Sequence, residues 1–462
     1  MFKKIIETFS NCFKIPELKS RIIFTLVVLG LCRLVAMLPI PGLDGGELAR
    51  YFEELARQTS KEGGGGGLLG MYSMFTGGAL ERCAIGSLGI MPYISATIII
   101  QLLTAVIPQL SKLAREAEGR PKLIQYGRYL TVILCLGQGF VMAMAWENAQ
   151  SIFPGFSGQL VMDPGWAYRF QTTMILTVGT LLLMWMGEQI TERGIGNGVS
   201  LVITIGILAR LPQAMIALKD MFFVQHRSAF YAIALILLLL AVVAGVIAVT
   251  QAQRKIPIQY AQRRIGNRIM QGATSFMPLR VNYAGVMPII FAQALLMFPE
   301  KFFQFLGGAV HSAFLRDLFQ GMAVHLREGQ TFYLLVYATL IIFFSYFWVA
   351  TQFNELQIAD DLKKHGGYIP GVRPGQQTSE YLHHAMSRIT LAGAIFLTVI
   401  AVIPILLYSG MKVPYSVASF FGGTSILITV GVLLDTMRQM ETHLLMRHYD
   451  GFLKKGRLKG RF

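Results

Sequence analysis

Charge is the scarcest thing in this sequence. Only 14% of its 462 residues are Asp, Glu, Lys or Arg, while 54% are hydrophobic. An average soluble domain carries roughly 25% charged residues. A chain so poor in charge cannot cover a water-facing surface of its own size, so it must face lipid, and an ordinary soluble protein is excluded. Acid is scarcer still: 25 Asp and Glu stand against 41 Lys and Arg, a net charge of +16. Such an excess on a hydrophobic chain has two sources. Cytoplasmic loops collect Lys and Arg during membrane insertion, and basic loops attract RNA, anionic lipid or acidic proteins.

Cysteine is nearly absent. Cys12, Cys32, Cys83 and Cys135 show no CxxC or metal-ligand spacing and read as reduced, structural residues. Catalytic signatures are missing too: there is no GxSxG, Walker loop, HExxH or Cys/His cluster. His383 and His384 are adjacent, so on a helix they point to different faces. No enzyme activity, metal or cofactor is expected. The first apolar run continues into Pro39-Ile40-Pro41-Gly42 without an A-x-A-like cleavage site.

Long apolar runs are what the chain has. A helix needs about 20 apolar residues to cross the bilayer core. Ten segments qualify or nearly so: 22–40, 84–107, 125–146, 172–191, 198–217, 229–250, 284–298, 331–351, 388–408 and 416–436. Pro92 and Pro288 fall inside two of them and predict kinked or broken spans packed against protein. With the N-terminus inside, 27 of the 41 basic residues lie on cytoplasmic segments and 12 on the opposite side, which puts both termini in the cytoplasm. The chain then divides into a cytoplasmic amphipathic N-terminus (1–21), a first half with spans 1–5 (22–217), a second half with spans 6–10 (218–436) and a basic tail (437–462). Five spans per half give the halves opposite orientation, the arithmetic of an inverted repeat. The fold class is an all-α membrane protein of ten transmembrane helices.

Two kinds of connection stand out. The segment 41–83 ends in an apolar, glycine-rich piece, about 68–83, too short and broken to span and suited to a re-entrant position. The loops 251–283 and 352–388 are basic and too long for simple turns, so they project into the cytoplasm. Between spans 4 and 5, Glu188-Gln189-Ile190-Thr191-Glu192-Arg193-Gly194-Ile195-Gly196-Asn197-Gly198 makes a tight polar turn in which Glu and Arg can pair.

Five ordered strings carry a family resemblance: FTGGALERCAIGSLGIMPYISATIIIQLL (75–103), MWMGEQITERGIGNGVS (184–200), RVNYAGVMPIIFA (280–292), ADDLKKHGGYIPGVRPG (359–375) and FFGGTSILI (420–428). They are similar to the SecY family, and the likeness runs from about Arg21 to the end. It implies a clamshell of spans 1–5 against 6–10 in the bacterial cytoplasmic (inner) membrane. The pore would conduct unfolded preproteins and release transmembrane segments sideways into lipid. The resemblance places an aliphatic constriction on Ile90, Ile94, Ile203, Ile290 and Ile428, a plug on 68–83, and a lateral-gate polar residue on Gln101. A ring of branched apolar side chains dewets a narrow pore. For any one isoleucine, lipid or core packing is the ordinary role, and for Gln101 it is a plain interhelical hydrogen bond.

The resemblance also assigns Arg263, Arg264, Arg268 and Arg373 to docking of the ribosome and the SecA ATPase. It implies SecE and SecG subunits, and signal peptides and preproteins as the cargo. Two departures are present. Asn267 stands where the family commonly has a second Arg before Arg268, and Glu355 follows Asn354 where Pro is usual. The competing reading is an inverted-repeat secondary transporter. Transporters place ionisable groups near the midplane, whereas the spans here hold few charges, Arg33, Arg128 and Asp435 among them.

Overall fold

The computed structural model describes residues 15–62, 76–116, 119–149, 156, 158–223, 229–260, 263–265, 268–270, 274–293, 295–296, 303, 313–326, 330–411, 417–418 and 424–455. The chain divides into two compact units. One gathers Met1–Val224, Pro414–Ser416 and Ile428–Phe462, the other Gln225–Val413 and Val417–Leu427.

In the first unit, α1 (Pro16–Val35) opens on a proline at its first turn, where the missing N–H is no loss. It buries Leu18, Thr25, Val28, Cys32 and Val35. The chain then turns, and the Ile40 N–H bonds the Cys83 carbonyl at 2.9 Å. Asp44 starts α2 (Gly45–Glu62) by accepting the Gly46 N–H at 2.9 Å. Leu48 and Phe52 of α2 enter a core with Leu80, Cys83, Trp146, Phe156 and Leu160. The sequence reading gave 41–83 no helix, although Leu48 and Phe52 are four apart on one face.

Residues 84–90 form turns, and α3 (Met91–Val106) begins later than the apolar run does. It meets α4 (Pro108–Arg115) at a bend of 108°. Pro108 is the cause: Ile107 before it is extended (φ −92°, ψ 114°) and cannot continue the helix. The long helices α5 (Gly119–Glu147) and α6 (Trp166–Arg193) pack together along their lengths. Threonines buried between apolar neighbours satisfy themselves one turn back: Thr131 on the Gly127 carbonyl (2.7 Å), Thr173 on Arg169 (2.7 Å) and Thr177 on Thr173 (2.8 Å). Ion pairs close both ends, Arg128–Glu188 and Arg169–Glu147. Glu188 is therefore paired across to α5 and not within its own turn.

The turn after α6 is held by side chains from three helices. Thr25 accepts the Ile195 N–H (3.1 Å), Thr191 that of Gly198 (2.9 Å) and Gln439 that of Gly196 (2.8 Å). Asn197 caps α7 (Gly198–Leu208) by accepting the Ser200 N–H at 3.2 Å. After a short turn, α8 (Leu211–Phe223) continues.

The second unit begins with α9 (Ala229–Gln251) and then leaves helix altogether. β1 (Gln253–Tyr260) pairs antiparallel with β4 (Thr274–Arg280), from Gln253↔Arg280 to Gln259↔Thr274. Between them β2 (Arg263–Ile265) and β3 (Arg268–Met270) form a separate pair. The helical pieces that follow include residues 287–293, α10 (Ala313–His325), α11 (Thr331–Gln352) and α12 (Glu355–Lys364). Next, β5 (Gly367–Tyr368) joins β1 to complete a sheet of order β4-β1-β5. Ile256 and Leu279 of the sheet share a core with Phe353, Ile369, Leu382 and Met386. The long α13 (Gln376–Met411) closes the unit, and α14 (Thr424–Lys455) ends the described chain.

Six helices are long and apolar enough to cross a membrane among the described residues, or seven if the bent α3–α4 pair is one span. α1 falls short because Glu17, Lys19, Arg21 and Arg33 interrupt it. The short seventh run, 284–298, lies partly outside the described residues.

Candidate functional site

The five isoleucines sit on four separate elements. Ile90 caps α3, and its carbonyl accepts the Ile94 N–H at 3.2 Å, so the two are one turn apart. Ile203 lies in α7, Ile290 in the helical piece 287–293, and Ile428 near the start of α14. All are withdrawn from the surface, at 3, 5, 2, 1 and 1% exposure in chain order. None faces outward as a lipid-contacting residue would.

Half of the apolar, glycine-rich piece is described. Residues 68–75 lie outside the described residues, and Thr76–Cys83 forms two tight turns ending in a 3-10 turn at Leu80–Arg82. Ala79, Leu80 and Cys83 are fully buried. The Ala79 carbonyl accepts from the Ala84 N–H (3.0 Å) and the Ser87 hydroxyl (3.1 Å). Polar fastenings come from far along the chain. Arg33 Nη1 donates to the Gly77 carbonyl at 3.2 Å, and Arg210 pairs with Glu81. Sequence reasoning named Arg33 only as a charge within a span, and it did not single out Arg210. Arg33 sat in a run of apolar residues, which is itself the signal that it has a buried partner.

Gln101 is half-buried in α3, and its Oε1 finds no hydrogen-bond partner among the described residues. Gln293 has the same property at 7% exposure. An interhelical bond at the Gln101 oxygen, the ordinary alternative, is therefore not made among these residues.

Arg373 is exposed, on a loop that the sheet and core hold rigid. Ile369 is 3% exposed beneath it, the Val372 N–H bonds the Ile369 carbonyl (3.1 Å), and the Thr378 hydroxyl bonds the Arg373 carbonyl (2.9 Å). Gly371 (φ 82°) and Gly375 (φ 108°) take left-handed backbone on either side, which other residues adopt only with strain. Arg263, Arg264 and Arg268 fall on the β2–β3 pair, with Ile265 opposite Arg268. Asn267 lies outside the described residues. The β strands were not foreseen. They join β1 and β4 of the 251–283 loop to β5, five residues before Arg373, in one sheet, through Gln259↔Tyr368 and Tyr260↔Gly367, while β2–β3 stay a separate pair.

His383 Nδ1 faces Glu355 Oε1 at 3.0 Å, so its partner is a carboxylate. Among the described residues no three His, Cys, Asp or Glu side chains converge on a point. Cys32 lies 3.4 Å from the Met186 sulfur, and Cys32, Cys83 and Cys135 are free and buried.

Comparison with known proteins agrees along almost the whole chain. A family model described as SecY matches residues 84–437. The protein translocase subunit SecY of Escherichia coli is 42% identical over 448 residues, covering 96% of this chain and 96% of that one. Among solved structures, one described as a protein conducting channel superposes with a TM-score of 0.59 at 17% identity, covering 92% of each chain. Sec61 in the canine ribosome-channel complex gives 0.57 at 16% identity, again covering 92% of each chain.

Proposed function

The chain belongs to the SecY family, as the channel subunit of a protein translocase and not an enzyme, and from that premise we propose how its residues carry out the task. Unfolded precursors pass through a pore sealed at rest by Ile90, Ile94, Ile203, Ile290 and Ile428, with 68–83 as a plug on the outer side. Gln101 lines the lateral gate through which transmembrane segments leave. The channel has no energy source of its own. SecA or the ribosome drives it, docking through Arg373 and the cluster Arg263, Arg264 and Arg268, and SecE and SecG complete the complex. Ten spans place both termini in the cytoplasm of a bacterial cell, in the inner membrane.

The observation that carries this reading is the character of the five family positions. All hold isoleucine and all are at most 5% exposed, and a dry aliphatic ring excludes ions because hydration is lost without replacement ligands. The transporter alternative needs unpaired ionisable groups at mid-depth. The ion pairs of α5 and α6 instead sit at the helix ends. A docked ribosome is supported by the ribosome-bound state of the Sec61 relative and by the exposed, rigid Arg373 loop.

The deciding experiment is transport of a reporter precursor into vesicles holding the purified chain with SecE, SecG and SecA. Transport that needs the chain is expected, and its absence with correctly inserted protein would overturn the proposal. Orientation is read separately. A reporter active only outside the membrane should be silent after Phe462 and active near Asp163.

A further inference from the structure

We propose that Arg33 and Arg210 form a polar clasp on Thr76–Cys83, and that this clasp sets how firmly the resting channel is sealed. The inference rests on the plug reading above, but it is carried by different residues.

A guanidinium within an apolar helix is costly unless it is partnered. Arg33, on α1, reaches the Gly77 carbonyl, 44 residues away in sequence. Arg210 stands at the α7–α8 junction and pairs with Glu81 across 129 residues, with side chains only 18% and 15% exposed. The arginines therefore reach the same short segment from two separate places, α1 and the α7–α8 junction.

The geometry at Gly77 favours glycine. Its φ is +65°, and a side chain there would collide with the Arg33 guanidinium. The same Cβ would lie 3.0 Å from the Gly206 backbone. Gly206 is one turn from Ile203 on α7. Thr76 in turn lies against Gly89, next to Ile90, where a Cβ would come within 3.1 Å of its methyl. The clasped segment is thus seated on the backbone beside two of the five isoleucines, and a shift of its position is felt there first.

Packing alone does not fix that position. Ala79, Leu80 and Cys83 are buried, but apolar contact is non-directional. The Gly77 end is fixed by a directed hydrogen bond and the Glu81 end by a charge pair. Arg82 and Arg210 are also close enough to Arg33 to repel it. Glu81 is the anion paired within this group, so removing its charge leaves like charges together, whereas removing Arg210 relieves repulsion as it breaks the pair.

The test is resting conductance in planar bilayers with no precursor present. Glu81→Gln should raise it several-fold, and Arg33→Gln and Arg210→Gln should raise it less. The reversed pair Glu81→Arg with Arg210→Glu should return towards wild type, which a purely steric role would not allow. If Glu81→Gln does not accumulate, the neutral pair Glu81→Gln with Arg210→Gln removes both buried charges and should insert and leak. Inserted variants as silent as wild type would overturn the clasp. So would a reversed pair that leaks as much as Glu81→Gln. A wild type that fails to move a precursor would count against the plug reading alone, since the conductance order is measured without cargo.

Discussion

Arg128 grips Glu188 with two parallel hydrogen bonds, Nε to Oε1 at 3.0 Å and Nη2 to Oε2 at 2.8 Å. Only a planar fork makes both at once. Arg128→Lys keeps the charge and loses the second bond. With the arginine 46% and the glutamate 15% exposed, the expected loss is about 1 kcal/mol. Reversible unfolding in detergent reads it. Glu188→Gln should lose a similar amount, and the double variant less than the sum, because the two act as one pair.

Charge reversal at Arg373 should stop docking without stopping assembly. The side chain is exposed and makes no ion pair among the described residues, so Arg373→Glu leaves no group stranded. Against an acidic or RNA partner the change should cost on the order of a few kcal/mol. The variant is expected to accumulate at wild-type amounts while reporter export falls steeply, seen by comparing membrane content with precursor processing.

Replacing Ile90, Ile94 and Ile203 together with serine should open an ion path. Each is at most 5% exposed, and each exchange trades a branched apolar group for a small polar one. Conductance in planar bilayers should rise well above wild type, and a single exchange should do less. Every buried exchange also costs stability, roughly 2–5 kcal/mol by analogy with large-to-small core changes. Insertion and folding are therefore measured on the same preparation.

The Cys83 thiol should resist alkylation in the folded chain. Burial and then the nearby Asp44 carboxylate push it up to about 12. At pH 8 only about one thiol in ten thousand is then the reactive thiolate, and the fraction grows about tenfold per pH unit. Iodoacetamide followed by mass spectrometry should find Cys83 unmodified in native membranes and modified after denaturation.

Most of the membrane architecture was legible because long apolar runs speak for themselves. The turn at 194–198 was legible from its glycines. The β1–β4–β5 sheet was not. In QRKIPIQY only Ile256 and Ile258 show the period-two signal, and charged neighbours mask it. The partners of Glu188, Glu81 and Arg33 were illegible for a different reason. They lie 60, 129 and 44 residues away, and a charge in a sequence does not name its counter-charge. Helix α3 starts after its apolar run because 84–90 spends that hydrophobicity on buried turns.

The strand pairing of Gln259 with Tyr368 joins segments 109 residues apart, and the Tyr368 hydroxyl adds a side-chain bond to Gln259 at 3.1 Å. Because β1 is the shared middle strand, force applied to the Arg373 loop is transmitted through backbone hydrogen bonds to the β1–β4 hairpin. A partner docked on the Arg373 loop, as proposed above, would therefore pull on one stiff lever and not on two independent tethers. Damage at one arm will show up as a defect at the other.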